Sequence, residues 1–229
     1  MKNDIINIGL PSKGRLKENT LKIFKRKKLN ITSESERNLF GYIKKLPNTK
    51  IIYLHARECI EQLSLGNIDI GFSGYDLLRE SEFNIQKNIL IKKRLNFGHA
   101  TVVLAIADLW LDVQTLLDLD EVADEFKKKK KRLLRVATKY PNLTRQFLYS
   151  KGVTQFRLVQ SLGSTEVAPF TGTAEIISDI TSTGATLKAN NLRILKDGEI
   201  LKSQACLMIS KKSLNKKRIN SLIKIFTKK

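Results

Sequence analysis

Residues 176–191 read IISDITSTGATLKANN, and this stretch indicates the fold more clearly than any other part of the chain. Its first five residues form a short apolar run that carries one acidic residue, Asp179, which is typical of a buried strand. The remainder runs from a loop rich in Thr, Ser and Gly into a helix. The stretch therefore predicts a strand, a loop and a helix in succession, the building unit of an α/β sheet.

The same unit recurs on both sides of this stretch. Predicted strands cover 5–10, 50–56, 68–74, 100–107, 133–140 and 156–162, and predicted helices cover 13–28, 56–66, 75–81, 115–132 and 142–152. Downstream, LRILKDGEIL and SQACLMIS predict a hairpin that turns at Asp197-Gly198, and residues 211–226 predict a closing helix. Strands that alternate with helices indicate an α/β protein with a substantially parallel sheet.

Length and composition place the chain among folded soluble proteins. Its 229 residues suffice for one large domain or two small ones, and 41% hydrophobic with 28% charged residues is ordinary globular usage. No apolar run approaches the roughly 20 residues that cross a bilayer, and the first residues lack the apolar core of a secretory signal. We therefore expect a cytoplasmic protein without a membrane partner.

The two cysteines, Cys59 and Cys206, show neither CxxC spacing nor a nearby histidine pair. This pattern predicts no protein-ligated metal and no redox site. Free cysteine is among the most buried residue types, so we expect both to be small apolar core residues.

The formal net charge of +20 predicts anionic partners. Much of this charge is lysine in clusters at 22–28, 127–132 and 211–218, which fit either a solvated surface or an RNA-binding face. No aromatic residues are interleaved with these lysines to stack on bases. This absence favours a solvated surface over an RNA-binding face for the clusters, whereas the charge alone fits nucleic acid, a membrane surface or phosphorylated metabolites equally.

The loop that follows residue 180 has the composition of a phosphate site. Its consecutive backbone N–H groups and four hydroxyl groups are suitable donors to an anion, and Gly184 allows a close approach or a positive φ. Asp179, at the end of the strand, is placed to accept hydrogen bonds from sugar hydroxyls. The alternative is an ordinary N-capped helix after a strand, because Ser and Thr are the favoured caps.

The amino-acid sequence of this loop resembles a motif of a known family. DITSTGATL is similar to the phosphoribosyl pyrophosphate loop of phosphoribosyltransferases, and the wider pattern resembles ATP phosphoribosyltransferase, catalytic subunit, short form. Four segments carry the resemblance in the family's order: LPSKGRL (10–16), IDIGFSGYDLL (68–78), RVATKYPNLTRQF (135–147) and GSTEVAPFTGTAEIISDITSTGATLKANNL (163–192). The chain departs from the family pattern at Glu58 and Glu175, where Asp is common, and at Asn191, where Gly is usual.

The resemblance implies a two-lobed fold like that of type II periplasmic binding proteins, with the active site in the cleft between the lobes. It places residues 1–96 and 185–229 in the first lobe, and residues 97–184, with the loop, in the second. The implied reaction condenses ATP with 5-phosphoribosyl 1-pyrophosphate to 1-(5-phosphoribosyl)-ATP and pyrophosphate, the first step of histidine biosynthesis. Mg²⁺ would be held mainly by substrate phosphates, as this ion prefers.

The resemblance also assigns the site residues. The 5-phosphate would be held by Thr181, Ser182, Thr183, Gly184, Ala185 and Thr186, and the ribose hydroxyls by Asp179. Lys13 and Arg15 would face ATP or pyrophosphate, Arg57 the leaving group, and Glu166 the nucleotide. Tyr75 and Asp76 follow a glycine turn at a strand end, where they would line the cleft or serve in packing.

Partners follow from the same resemblance. Because the chain stops at Lys229 without room for a regulatory domain, we expect a homodimer that assembles with a separate regulatory subunit similar to histidyl-tRNA synthetase. Three rivals remain: a solute-binding module of the same fold, a nucleic-acid-binding protein, and a phosphoribosyltransferase with another base acceptor. The last would share the loop but not LPSKGRL or IDIGFSGYDLL.

Overall fold

A computed structural model describes residues 5–33 and 39–227 of the chain. They belong to two compact units, one formed by Met1–Gly98 with Gln204–Lys229 and the other by His99–Ser203. We call these the first unit and the second unit. None of the helices described in these ranges is long and apolar enough to cross a membrane.

The elements follow one another as strand and helix through most of the chain. In the first unit they are β1 Ile6–Pro11, α1 Gly14–Arg26, β2 Ile31–Thr32, β3 Phe40–Ile43, β4 Thr49–Leu54, α2 Ala56–Leu65, β5 Ile70–Gly74, α3 Tyr75–Glu80, α4 Phe83–Gln86 and β6 Ile89–Arg94. In the second unit they are β7 Ala100–Ala107, α5 Leu116–Lys130, β8 Leu134–Thr138, α6 Pro141–Ser150, β9 Phe156–Gln160, β10 Ile176–Thr181, α7 Ala185–Ala189 and β11 Leu192–Ser203. The chain then completes the first unit with β12 Ala205–Ser210 and α8 Ile219–Thr227.

The sheet of the first unit has the order β2-β3-β4-β1-β5-β12-β6. Its centre is parallel, because β1 pairs with both β4 and β5 in that sense, whereas β12 runs antiparallel to β5 and β6. One face is covered by α1 and α8, where Phe24, Phe72 and Phe226 form a ring cluster with centroids 4.9–5.6 Å apart. The other face carries α2, whose Cys59, Ile60 and Leu63 are fully buried.

The cysteine prediction is confirmed. Cys59 and Cys206 are both free and buried. Burial raises the pKa of Cys59 to about 12 and the pKa of Cys206 to about 11, so both remain neutral thiols near neutral pH.

The sheet of the second unit has the order β11-β7-β10-β8-β9. Here β8 pairs in parallel with β9 and β10, whereas β7 runs antiparallel to β10 and β11. Alternate residues of β7 enter different cores, with Leu104 and Ile106 packed beneath α5 and Val103 and Ala105 on the face of α7. Both sheets are therefore mixed, with a parallel centre in the first unit and three parallel strands in the second.

The predicted hairpin at Asp197-Gly198 is wrong. β11 continues through both residues, which lie in an irregularity of its pairing with β7 between Ile194 and Glu199, and β12 belongs to the other sheet. Asp197 is used elsewhere, since its Oδ1 accepts the backbone N–H of Leu116 at the start of α5, 2.9 Å away. Gly198 is buried, and a Cβ there would lie 3.0 Å from the carbonyl oxygen of Leu104. The glycine therefore serves close packing of two strands.

The boundary between the units also differs from the expected one. Residues 185–203 lie in the second unit, whereas the resemblance placed them in the first lobe. They stay there because β11 pairs with β7 over most of its length and because Leu187, Leu192 and Leu195 are buried in the cores of the second unit. Three strands of the first unit, β2, β3 and β6, were not anticipated from the sequence.

Candidate active site

Three neighbouring strands of the first unit bring the predicted basic residues to one edge of its sheet. β4, β1 and β5 are adjacent and parallel, so their carboxyl ends lie on the same side. Each strand is followed directly by a helix whose first turn carries predicted site residues: Lys13 and Arg15 after β1, Arg57 after β4, and Tyr75 and Asp76 after β5. The carboxyl edge of parallel strands is where open α/β sheets bind ligands.

The turn between β1 and α1 exposes two cations. Lys13 is the N-cap residue of α1, with extended backbone and no capping hydrogen bond from its side chain, and Gly14 adopts φ +72°. The N–H of Ser12 donates to the carbonyl oxygen of Leu54 at 2.8 Å, which fastens the turn to the end of β4. Both Lys13 and Arg15 are exposed. Their charges are therefore accessible to a dissolved anion.

The turn between β4 and α2 explains one of the two histidines. His55 is the N-cap of α2, and its Nδ1 accepts the backbone N–H of Arg57 at 3.4 Å. The imidazole thus helps to form the first turn of the helix that carries Arg57, whose side chain is exposed. The helix ends at Gly66 with φ +83°, as its sequence predicts.

Tyr75 and Asp76 differ in exposure. Asp76 is 7% exposed, and a Cβ on Gly74 would collide with its carboxylate, so only glycine fits before this turn. Tyr75 is half-buried; its N–H donates to the carbonyl oxygen of Gln204 at 3.0 Å, and the guanidinium of Arg94 lies 4.5 Å from its ring centroid. The structure therefore supports a packing role for Asp76 and leaves Tyr75 partly accessible.

The predicted phosphate loop follows β10 in the second unit. Gly184 adopts φ +74°, and its N–H donates to Oγ1 of Thr181 at 2.9 Å. The N–H of Ala185 donates to Oγ1 of Thr183 at 3.3 Å. Among the described residues, none accepts a hydrogen bond from the N–H of Ser182 or Thr183. Each threonine hydroxyl accepts one bond and retains its own O–H as a donor.

A shallow depression of about 330 Å³ opens beside this loop within the second unit. It is lined by Thr101, Val103, Thr181, Ser182, Thr183, Gly184, Ile194, Leu195, Lys196 and Glu199. Sequence reasoning missed Thr101, Lys196 and Glu199, because they lie far from the loop in sequence and only the antiparallel pairing of β7 with β10 and β11 brings them close. The depression places hydroxyls, N–H groups without protein acceptors and Lys196 around an open space, and its wall also contains the carboxylate of Glu199, which forms an ion pair with Lys202 at 3.2 Å.

Asp179 stands just before the loop and is 8% exposed. Its Oδ1 accepts the N–H of Ile180 at 2.8 Å. The preceding residue, Ser178, closes a buried chain of hydroxyl groups, in which Thr144 donates to Ser178 at 2.8 Å and lies 3.3 Å from Thr138. This chain joins β10, α6 and β8 beneath the loop and so restrains its base.

Two further residues lie near the same edge of the second unit. Glu166 is half-buried in a short 3₁₀ turn, Thr165–Val167, that contacts β10. Lys139 follows β8 directly, and β8 is the parallel neighbour of β10. Lys139 lies within RVATKYPNLTRQF, and its position directly after a strand that pairs with the loop strand is the sequence signal for a place near the loop.

The helix after the loop ends as the sequence suggested. Asn191, which stands where glycine is usual, adopts φ +52°, the left-handed conformation that asparagine tolerates. The departure from the family pattern at this position is therefore accommodated by the backbone.

Comparison with known proteins decides the family. A family model described as ATP phosphoribosyltransferase, HisG, matches residues 55–228. The chain belongs to the ATP phosphoribosyltransferase family. Curated relatives named ATP phosphoribosyltransferase include one from Chelativorans sp. (47% identical, covering 90% of this chain and 91% of that one) and one from Brucella suis (42% identical, covering 95% of each).

Solved structures agree with this membership. The ATP phosphoribosyl transferase (HisG:HisZ) complex from Thermotoga maritima contains a chain with TM-score 0.73 and 27% identity, covering 96% of each chain. The arginine-, lysine-, histidine-binding protein ArtJ from Geobacillus stearothermophilus aligns with TM-score 0.54 and 10% identity, covering 96% of this chain and 87% of that one. The second likeness concerns the fold alone. This chain therefore shares a two-sheet α/β fold with an amino-acid-binding protein, as expected for a type II periplasmic-binding-protein-like fold.

Proposed function

We propose that this chain transfers the phosphoribosyl group of 5-phosphoribosyl 1-pyrophosphate to a ring nitrogen of ATP, releasing pyrophosphate, as the first step of histidine biosynthesis. Membership of the ATP phosphoribosyltransferase family supports the reaction. The observation that carries the proposal is the Thr181–Thr186 loop, in which two N–H groups without protein acceptors adjoin hydroxyl groups and an open depression. No other described turn combines these features with the family's motif.

The phosphoribosyl donor is assigned to the second unit. The N–H groups of Ser182 and Thr183 and the hydroxyls of the loop would hold the 5-phosphate, because several donors converge on one small anion. Asp179 would accept hydrogen bonds from the ribose hydroxyls. Ala185 and Thr186, at the start of α7, would complete the loop around the phosphate.

ATP and the leaving pyrophosphate are assigned to the remaining residues. Lys13, Arg15 and Arg57 are exposed cations at the carboxyl edge of the first-unit sheet, where charge-assisted hydrogen bonds to phosphate are available. Tyr75 would border this site, and Asp76 would support the turn that presents it. Glu166 would contact the nucleotide.

Rate enhancement would come from alignment and charge stabilisation. Two highly charged substrates gain most from being held in line, and developing charge on the departing pyrophosphate is stabilised by fixed cations. The described residues contain no group of three His, Cys, Asp or Glu side chains able to form a metal cage. The chemistry of the site fits Mg²⁺ bound mainly by substrate phosphate oxygens, where it would neutralise the leaving group.

We also propose that the chain acts as a cytoplasmic homodimer together with a regulatory subunit related to histidyl-tRNA synthetase. The Thermotoga maritima neighbour was solved as a HisG:HisZ complex, which supports a hetero-oligomer of this kind. Histidine inhibition would then depend on the second protein.

The test is a direct assay with matched variants. Purified chain is incubated with both substrates, Mg²⁺ and pyrophosphatase, with and without the regulatory subunit, and the near-ultraviolet absorbance of the product is followed. Thr183→Ala and Asp179→Asn are expected to lower turnover by at least about 100-fold, the typical loss when a preorganised donor or acceptor is removed. Turnover by these variants equal to wild type would refute the site.

Two exposed residues of the second unit provide controls of the same chemistry. Thr154→Ala and Asp112→Asn change the same side-chain types outside the loop and the depression. Both are expected to retain wild-type turnover. If a control variant loses turnover together with the site variant that it matches, the loss reflects a general folding defect. Circular dichroism of each variant would reveal such a defect.

A further inference from the structure

The first unit contains a cavity lined by basic residues, and the proposed reaction does not use it. Its volume is about 520 Å³, and it is lined by Ile23, Arg26, Lys27, Lys93, Arg94, Leu95, Asn96 and Phe226. Arg26 and Lys27 stand at the C-terminal end of α1, whereas Arg15 stands at the N-terminal end of the same helix. Eleven residues of helix separate Arg15 from Arg26 by about 16 Å. The cavity is therefore distinct from the turn assigned to ATP.

The cations exceed what the local backbone requires. α1 and α8 both end at this cavity, and each helix C-terminus carries about half a negative charge that attracts basic side chains. Lys93 meets one of these demands, because its Nζ donates to the carbonyl oxygen of Thr227 at 2.8 Å. Arg26 and Arg94 line the cavity in addition to Lys93, and none of its described lining residues is a carboxylate. A net positive potential remains for a dissolved anion.

Two of the cations have no ion pair within the part of the chain that the structure describes. Arg26 and Arg94 form salt bridges with none of the residues that the structure describes, and both are exposed. A guanidinium group presents a planar fork of donors that matches the oxygen atoms of phosphate. Arg94 can use the edge of this fork while its face remains on the ring of Tyr75, 4.5 Å away.

Besides the cations, the lining contains one polar residue, Asn96, and three apolar ones. Ile23, Leu95 and Phe226 contribute hydrocarbon and aromatic surface beside the cations. A lining that combines cations with apolar residues is suited to a small organic anion, and the volume lies within the range of roughly 300–1,000 Å³ that is usual for ligand pockets.

We propose that this cavity binds a diphosphate group, free or attached to a small apolar moiety, through Arg26 and Arg94. The ligand would occupy a site separate from both substrates. Arg94 also contacts Tyr75, so a bound ligand would hold this arginine against a residue that borders the proposed ATP site. Only this last consequence rests on the proposed function.

The test measures binding by calorimetry in low salt with inorganic pyrophosphate and, as an organic source of the same group, isopentenyl diphosphate. Arg26→Gln and Arg94→Gln are each expected to weaken the affinity of the cavity for these ligands by about tenfold, the effect of losing one charge-assisted hydrogen bond. Binding of the same ligands at the catalytic site is expected to stay unchanged. Lys25→Gln is the matched control, since it removes one positive charge from the same helix without lining the cavity. It is expected to change affinity less than about twofold.

A loop variant separates this site from the catalytic one. Ser182→Ala with Thr183→Ala should leave the Arg26-dependent binding intact, even where turnover is lost. If Lys25→Gln weakens the affinity as much as Arg26→Gln does, binding depends only on overall positive charge and the proposal is overturned. Loss of all binding in the loop variant would overturn it as well. Tighter binding of isopentenyl diphosphate identifies an organic ligand, whereas equal affinities identify the diphosphate group alone.

Discussion

Glu175 joins two arginines at the edge of the second-unit sheet. Its carboxylate accepts bonds from Arg135 Nη2 at 2.6 Å, from Arg132 Nη2 at 3.0 Å and from the backbone N–H of Arg135 at 2.8 Å. Burial alone would raise the pKa of this carboxyl group, but these hydrogen bonds outweigh it and lower the pKa to about 2. Glutamate thus keeps the negative charge that the family usually supplies with aspartate.

This pair predicts a pH dependence of stability. Because the folded pKa lies below the unfolded value, the contribution is complete above about pH 4.5 and is lost as the pH falls towards 2. Its upper bound is about 3 kcal/mol in the free energy of unfolding. Urea titrations between pH 2.5 and 7 should show that Glu175→Gln removes most of this dependence.

The control for this prediction is an exposed pair. Glu125 and Lys129 lie 3.0 Å apart on α5 with both side chains mostly exposed, so Glu125→Gln should follow the wild-type pH curve. If Glu175→Gln and wild type lose stability in parallel as the pH falls, the assignment to Glu175 is refuted.

The local conformation of two candidate site residues was predictable from the loop motif. The glycine at 184 and the acidic residue at 179 follow from the spelling of one loop, and the structure gives them a positive φ and a buried strand-end position. Thr101 and Lys196 were not predictable, because no local pattern relates them to the loop. Their proximity is a property of strand pairing.

At the scale of elements, periodicity predicted most helices and the central strands. α2 and its glycine end, β7 and β10 all lie within about two residues of their expected bounds. The short strands β2, at the edge of the sheet, and β3, next to it, lack a sustained alternating pattern, so nothing in the sequence distinguished them from loop. The Asp-Gly pair in β11 does not form a turn, because Asp197 accepts a hydrogen bond from the start of α5 and Gly198 packs closely against β7.

Asp197 provides a test of that explanation. If its carboxylate caps α5, Asp197→Ala should lower the free energy of unfolding by about 1 kcal/mol, the usual value of a helix cap. Amide hydrogen exchange at Leu116 should accelerate in the variant. Thr115→Ala, which removes the N-cap residue itself, should have a similar effect. Unchanged exchange at Leu116 in Asp197→Ala would show that the contact does not stabilise the helix.

The net charge of +20 belongs to the whole molecule, and it leaves nucleic-acid binding as a rival function to test. Binding of a fluorescent single-stranded RNA that depends only on this charge should weaken by about a thousandfold or more between roughly 50 and 200 mM NaCl. Retention of tight RNA binding at the higher salt would instead indicate a built nucleic-acid site. The same titration with Lys127→Gln and Lys128→Gln would locate any contribution of the α5 cluster.

The two-unit division was predictable in outline from the family resemblance but not in its boundary. The resemblance placed the return to the first lobe at residue 185, whereas β11 holds the chain in the second unit until Ser203. A strand that pairs at long range carries no local mark of the sheet to which it belongs, so sequence patterns alone could not decide this.

The position of β12 has a consequence for synthesis on the ribosome. This strand separates β5 from β6 in the first-unit sheet, yet it is made after the entire second unit. A nascent chain can therefore complete the contiguous second unit while β6 still lacks its neighbour, and the unit that begins first finishes last. A stalled nascent chain that ends at Gln204 and continues into a flexible linker long enough to fill the exit tunnel should display a protease-resistant second unit beside an unfinished, protease-sensitive N-terminal sheet.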